Sequence, residues 1–232
     1  MVECKPLWII VGGRRRLGRA LAEELAGDHR LALTSSGPWA GESWAAEHRK
    51  LSWDARDPAL CQRMTEDLAQ LAQEQGLLAG VVIAAGDFPE SPWGSWTGEG
   101  LAATWTLNLS FPLLASQAIA PHLQEGACLQ FLLDTAIHGH WLRRMPYSAA
   151  KSALAALVPS LAKVLAPKVR VVGHALGTLL PAAGFDPAVL ARQSLTGRHG
   201  EPADLARAIR YAADSPYLTG EILTLDGGGR WR

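Results

Sequence analysis

Cysteine is scarce: Cys4, Cys61 and Cys128 are the only three in 232 residues. An odd number at wide spacing offers neither a disulfide framework nor the close pairs of a metal site, and fits free thiols in a reducing cytosol. Charge of one sign is missing as well. The 22 basic and 22 acidic side chains cancel, so the chain lacks the electrostatic footprint by which nucleic acid or an anionic membrane is held. Long hydrophobic runs are also lacking: 7–11 is too short for a signal segment or a membrane span, and the later runs break before membrane length. There is no internal repeat and no low-complexity tract. These absences leave a soluble cytoplasmic protein that handles small molecules, and 48% apolar residues suffice for the core of one large α/β domain over residues 1–232.

What is present alternates. Short apolar runs at 7–11, 30–34, 80–84, 127–133, 169–173 and 222–225 read as buried strands, with a weaker one at 50–53. Between them, 17–25 and 60–71 carry helical spacing, the second through Leu60, Met64, Leu68 and Leu71, and 101–123 and 146–165 supply longer helices. Such alternation predicts a Rossmann-type, doubly wound parallel sheet of about seven strands with helices on both faces and ligands at the carboxyl ends of its strands. The Gly-, Pro- and Trp-rich stretches 35–47, 87–100 and 177–200 read as loops, the last two as walls or lid of a pocket.

Three stretches carry chemistry. Gly12-Gly-Arg14-Arg15-Arg16-Leu17-Gly18 sits where the first strand turns into a helix, so backbone amides, a helix N-terminus and three cations can face a pyrophosphate. Thr34-Ser35-Ser36-Gly37 follows the second strand without the acid that usually binds an adenosine ribose diol, and its hydroxyls with a nearby arginine suit a 2′-phosphate. NADPH is therefore expected over NADH. Tyr147 and Lys151 lie four apart on one helix face, thirteen residues beyond Asp134. An ammonium beside a phenol is expected to lower its pKa and let tyrosine pass protons near neutrality.

Taken together, these residues resemble the short-chain dehydrogenase/reductase family over essentially the whole chain. The glycine turn, Asp54, Ala84-Ala85-Gly86, Asn108, Tyr147 with Lys151, Gly177-Thr178 and the terminal Leu225-Asp-Gly-Gly228 stand in that family's order. Two departures are similar to the pteridine reductase subgroup, including dihydromonapterin and dihydrofolate reductase-like enzymes. Arg16 stands at the middle glycine of the turn, and Asp134 at the usual catalytic serine. Phe88 matches the aromatic residue that stacks on a pterin.

The resemblance implies reduction of a pterin or folate, with hydride from NADPH and a proton from Tyr147 assisted by Asp134 and Lys151. Asn108 would keep a relay water near the lysine, Asp54 would contact adenine, and Arg16 would face both cofactor and substrate. The long helices imply a homotetramer, and the tail 227–232 would reach a neighbouring subunit's pocket. Val11, Ala84, Val172 and Leu176 replace family residues that hydrogen-bond or stiffen the cofactor loops. Plainer readings stand beside each of these. Asp134 and Asp54 can be turn caps, Phe88 and the tryptophans loop packing, and Tyr147 with Lys151 a surface pair. His138 and His140 lack further ligand spacing, so no metal site is expected. A carbonyl or other C=N reductase, or a silent NADP(H)-binding sensor, are the alternative functions.

Overall fold

The computed structural model describes residues 5–139, 141–180 and 186–232. Cys4, His140 and positions 181–185 of the expected lid lie outside them. The strands β1 (Leu7–Val11), β2 (Arg30–Ser35), β3 (Arg49–Ser52), β4 (Leu78–Ile83), β5 (Leu123–Asp134), β6 (Arg170–Leu176) and β7 (Glu221–Leu225) form one sheet. Its order is β3-β2-β1-β4-β5-β6-β7, with parallel pairing throughout. The helices are α1 (Arg16–Leu25), α2 (Leu60–Gln75), α3 (Gly98–Trp105), α4 (Phe111–Ile119), α5 (Met145–Leu165), α6 (Pro187–Arg192) and α7 (Pro202–Asp214).

Both sheet faces are covered, which is why the strands read as unbroken apolar runs. Ile9, Val11, Val81, Ile83, Leu129 and Phe131 meet the buried stripes of α2, α4 and α5. Their alternating neighbours Trp8, Ile10, Val82 and Leu132 meet α1 and α7. Chain direction across the sheet reverses between β1 and β4, so a crevice opens at their carboxyl ends, the place where doubly wound sheets take ligands. Val11 and Val172 are completely buried in this core. Their apolar character serves packing where family members spend a polar side chain.

The short helix α6 lies inside the stretch 177–200 that reads as loop, and two larger elements also differ from the sequence expectation. The single helix expected at 101–123 is broken by a π-helical turn at Thr106–Ser110. Pro112 explains the break, because it has no N–H for the Asn108 carbonyl and its ring clashes there, so the turn widens. That widened turn aims Asn108 inward, fully buried. The helix α7 was not anticipated, although its signals are local. Pro202 opens it, Glu201 and Asp204 form a reciprocal capping box, and Leu205, Ala206, Ile209 and Ala212 make its buried stripe.

Helix α5, at 21 residues, is long and apolar enough by composition to cross a bilayer. One of its faces, with Tyr147, Lys151, Leu154 and Val158, is nonetheless buried within the fold.

Where α7 crosses the sheet, the core holds a polar pair. His174 is completely buried, its Nε2 lies 2.8 Å from Gln130 Oε1, and the Gln130 amide donates to the Ile209 carbonyl at 3.3 Å. His174 Nδ1 has no partner among the described residues. Burial pushes the imidazole down from 6.5 to about 4. The fold therefore needs the neutral ring. That stability is complete above pH 6.5 and is lost as pH falls toward 4, a difference worth about 3 kcal/mol. Urea midpoints at pH 7 and pH 4 should show the His174→Leu variant losing less stability on acidification than the parent, by about that amount. Equal losses in the two proteins would disprove it.

Candidate active site

The first wall is the β1–α1 turn. Gly12 has φ +88°, and a Cβ there would come within 2.8 Å of Ala85 Cα, so only glycine lets this turn touch the exit of β4. A Cβ on Gly18 would sit 2.2 Å from the Gly12 carbonyl oxygen. The turn is fastened to β2, with Gly12 N–H donating to Thr34 Oγ1 and Gly13 N–H to Thr34 O, both at 3.0 Å. No acid occupies the first turn of α1, so the positive end of the helix and the cations Arg14, Arg15 and Arg16 stand together at this turn. Arg14 Nε donates to Ser35 Oγ at 2.8 Å, while Arg15, Ser36 and Arg16 are exposed. Arg16 adopts φ +47°, the left-handed conformation natural to the glycine it replaces, and its guanidinium reaches the Leu180 carbonyl at 3.5 Å. It thus joins the cofactor turn to the start of the lid.

The second wall is the end of β5 with the start of α5. Asp134 is the last residue of β5. Its Oδ1 accepts the Ala136 N–H at 2.7 Å, capping a 3-10 turn over Thr135–Ile137, and its Oδ2 accepts the Tyr147 hydroxyl at 3.0 Å. Turn cap and site acid are one residue using two oxygens. Lys151 Nζ donates to the Leu132 carbonyl at 3.0 Å.

Burial dominates the electrostatics of this trio. It raises the Asp134 carboxyl above its ordinary value, against the Ala136 amide, the Tyr147 hydroxyl and the Lys151 charge. It lowers Lys151 to about 8, with Asp134 and then Asp87 pulling the other way. Tyr147 is pushed well above the ordinary phenol range, first by burial and then by Asp134. This corrects the expectation that Lys151 lowers the tyrosine pKa. With a carboxylate as its acceptor and the ammonium 5.9 Å from its ring centre, the phenol is held protonated.

Asn108 has protein partners that the sequence reading did not include. Its amide donates to Asp87 Oδ1 at 2.7 Å and to the Thr104 carbonyl at 3.0 Å, and its Oδ1 accepts the Asp87 N–H at 3.3 Å. The buried amide therefore pins the 86–87 turn and sets a second carboxylate, absent from the sequence reading, at the mouth of the site. Between them lies Gly86, where a Cβ would be 2.9 Å from Asn108 Oδ1 and 3.4 Å from Lys151 Nζ. That side-chain-free space, the Gly12 turn and the donors of Lys151 suit a dinucleotide laid across the ends of β1 and β4.

Phe88 packs against Tyr147, the two rings nearly perpendicular with centres 4.8 Å apart, and makes a similar contact with Trp141 at 5.8 Å. The Arg144 guanidinium covers one face of Phe88 at 3.9 Å and donates to the Phe88 carbonyl and to Glu90. A planar ligand that stacks on Phe88 must use its other face. Arg144 escaped notice because it lies 56 residues from Phe88 along the chain, whereas Trp141 is one of the tryptophans that the sequence reading assigned to loop packing.

Other expected residues stay apart from this cluster. Both Asp54 oxygens are taken by Arg56, at 3.0 and 2.7 Å, so in this conformation the acid serves its own turn. Gly177 N–H donates to the Leu225 carbonyl at 2.9 Å and Thr178 is exposed. The tail folds onto its own chain: Leu195 N–H donates to the Gly227 carbonyl at 2.8 Å and Arg232 to that of Ser194 at 3.0 Å.

A family model described as enoyl-(acyl carrier protein) reductase matches residues 17–229. Carbonyl reductase family member 4 of Danio rerio is 30% identical over 233 residues, covering 96% of this chain and 97% of that protein. A 3-oxoacyl-[acyl-carrier-protein] reductase of Bos taurus is 26% identical over 230 residues, covering 94% and 95%. A solved short-chain dehydrogenase/reductase from Serratia marcescens superposes with a TM-score of 0.84 at 23% identity, covering 98% of each chain.

Proposed function

Given that the chain belongs to the short-chain dehydrogenase/reductase family of NAD(P)(H)-dependent oxidoreductases, we propose that it reduces the C=N bond of a pterin or dihydrofolate, with NADPH as cofactor. Bound NADPH supplies the hydride. The observation that carries the reading is the 3.0 Å hydrogen bond from Tyr147 to a buried carboxyl, Asp134, whose pKa is raised. In carbonyl reduction, negative charge grows on the substrate oxygen, and a carboxyl group beside it opposes the reaction to the extent that it is ionised. A pterin places N–H donors and a proton-accepting ring nitrogen there instead, which a carboxyl group can hold and orient. Tyr147, kept protonated, gives up the proton, Asp134 steadies the phenol and the heterocycle, and Lys151 supplies a positive charge below about pH 8. Phe88, partly exposed beside Tyr147, offers an aromatic contact surface.

A carbonyl substrate is the second reading, favoured by the likeness to carbonyl reductase family member 4. The deciding experiment is oxidation of NADPH, with NADH in parallel, by purified protein across dihydropterins, dihydrofolate and simple ketones. Turnover with pterins and not ketones is expected. Ketone-only turnover would overturn the pterin reading, and tight NADPH binding without turnover would point to a sensor.

The pH dependence follows from Lys151. Its ammonium is lost as pH rises through about 8, so kcat/KM should fall above that pH. The Asp134→Asn variant removes the largest influence that raises the lysine pKa, and its alkaline limb should move to lower pH. A limb that stays in place or moves upward would count against this electrostatic arrangement.

A further inference from the structure

The loop between β2 and β3 places an acid where the sequence showed none. Arg14 lies across the end of β2 with Nε on Ser35 Oγ at 2.8 Å, and its Nη2 is 2.9 Å from the point a Cβ on Gly37 would occupy. The 35–37 turn is thus shaped to let the guanidinium through, at the strand end that receives the adenosine ribose in doubly wound folds. Its Nη1 donates to Glu42 Oε1 at 3.4 Å. The other Glu42 oxygen accepts the Trp44 indole N–H at 2.8 Å, and the Arg19 guanidinium covers the Trp44 ring at 4.9 Å. The carboxylate is therefore held in place by the loop.

We infer that Glu42 is a built-in competitor for the 2′-phosphate of NADP(H) at Arg14, and so sets how far the chain prefers the phosphorylated dinucleotide. The inference rests on the proposed dinucleotide site and deepens it. A phosphate dianion makes stronger charge-assisted bonds to a guanidinium than a single carboxylate oxygen at 3.4 Å, so it can take Arg14 over. In doing so it must displace Glu42 or lie beside a like charge, and either reduces affinity. A nucleotide with a free ribose diol meets no such conflict.

The test uses the whole chain and two probes that lack nicotinamide, 2′,5′-ADP and 5′-AMP, with dissociation constants measured by calorimetry. Glu42→Gln keeps an acceptor for Trp44 and removes the charge. It should bind 2′,5′-ADP about five- to tenfold tighter and 5′-AMP within about twofold of the parent. Arg14→Leu should erase the preference for 2′,5′-ADP. Unchanged 2′,5′-ADP affinity in Glu42→Gln, with the parent binding normally, would overturn the competition alone. A large loss of 5′-AMP affinity would overturn it too, by making Glu42 a ribose ligand. A folded parent that binds neither probe would sink the dinucleotide site and this inference together.

Discussion

Replacing Tyr147 by phenylalanine is expected to cut reductive turnover by about 10²–10⁴-fold, the usual worth of a positioned proton donor. Dinucleotide affinity should change by no more than about twofold, since the ring and its edge contact with Phe88 remain. The expectation rests on the protonation state found here. A phenol that is buried and bonded to Asp134 is held in its protonated form, the form that a proton donor must have. Removing the hydroxyl also takes from Asp134 one of the hydrogen bonds that hold its pKa down, so the carboxyl should move further upward. Stopped-flow NADPH oxidation with saturating substrate measures the first effect, and fluorescence titration of NADPH the second. A variant that turns over at the parental rate would remove Tyr147 from the mechanism.

The second large effect concerns stability. Arg170, at the start of β6, is buried, and its guanidinium donates to five backbone carbonyls. Nη1 donates to Ala212 at 2.6 Å, Ser215 at 3.0 Å and Leu218 at 3.3 Å, and Nη2 to Ala213 at 2.6 Å and Gly126 at 3.4 Å. No carboxylate pairs with it among the described residues. Its counter-charge is the carbonyl end of α7, where a cation is favoured by the helix dipole. Arg170→Met should cost about 3–5 kcal/mol, because several carbonyls are left buried without donors. For a chain of this length that lowers the midpoint of thermal unfolding by about 10 °C. Arg170→Lys keeps the charge but cannot span the same carbonyls, and should recover only part of the loss. Calorimetry that finds Arg170→Met as stable as the parent would show that these bonds are replaced by water.

Legibility from the sequence followed the range of the interactions. The edges of β1 and α5 were readable to within a residue because apolar periodicity, Gly12, Gly18 and Pro146 act on neighbours in the chain. Helix α7 was missed despite a capping box and a Leu205–Ile209 stripe, because its short apolar stripe lay between loops rich in glycine and proline. The π turn at Asn108 was hidden by a pattern that reads as continuous helix, although Pro112 was in plain view. In the site, Asp134, Tyr147 and Lys151 were found together because one strand end and the helix that follows it supply all three. Asp87, Arg144 and Glu42 were not, since each earns its place from a residue 21, 56 or 28 positions away.

The order of residues by itself determined a parallel sheet wound on both faces, a glycine turn against an arginine-rich helix start, and a phenol, an ammonium and a carboxyl on adjoining elements. Only the tertiary structure decided how those groups share protons and charge. It buried the trio until its carboxyl rose, its lysine fell and its tyrosine stayed neutral, and it turned Asn108 to hold Asp87. It also brought Glu42 onto Arg14 and closed Arg170 around the end of α7. The reason is that a pKa or an ion pair depends on desolvation and on distances between remote segments, and neither exists until the sheet has gathered those segments together.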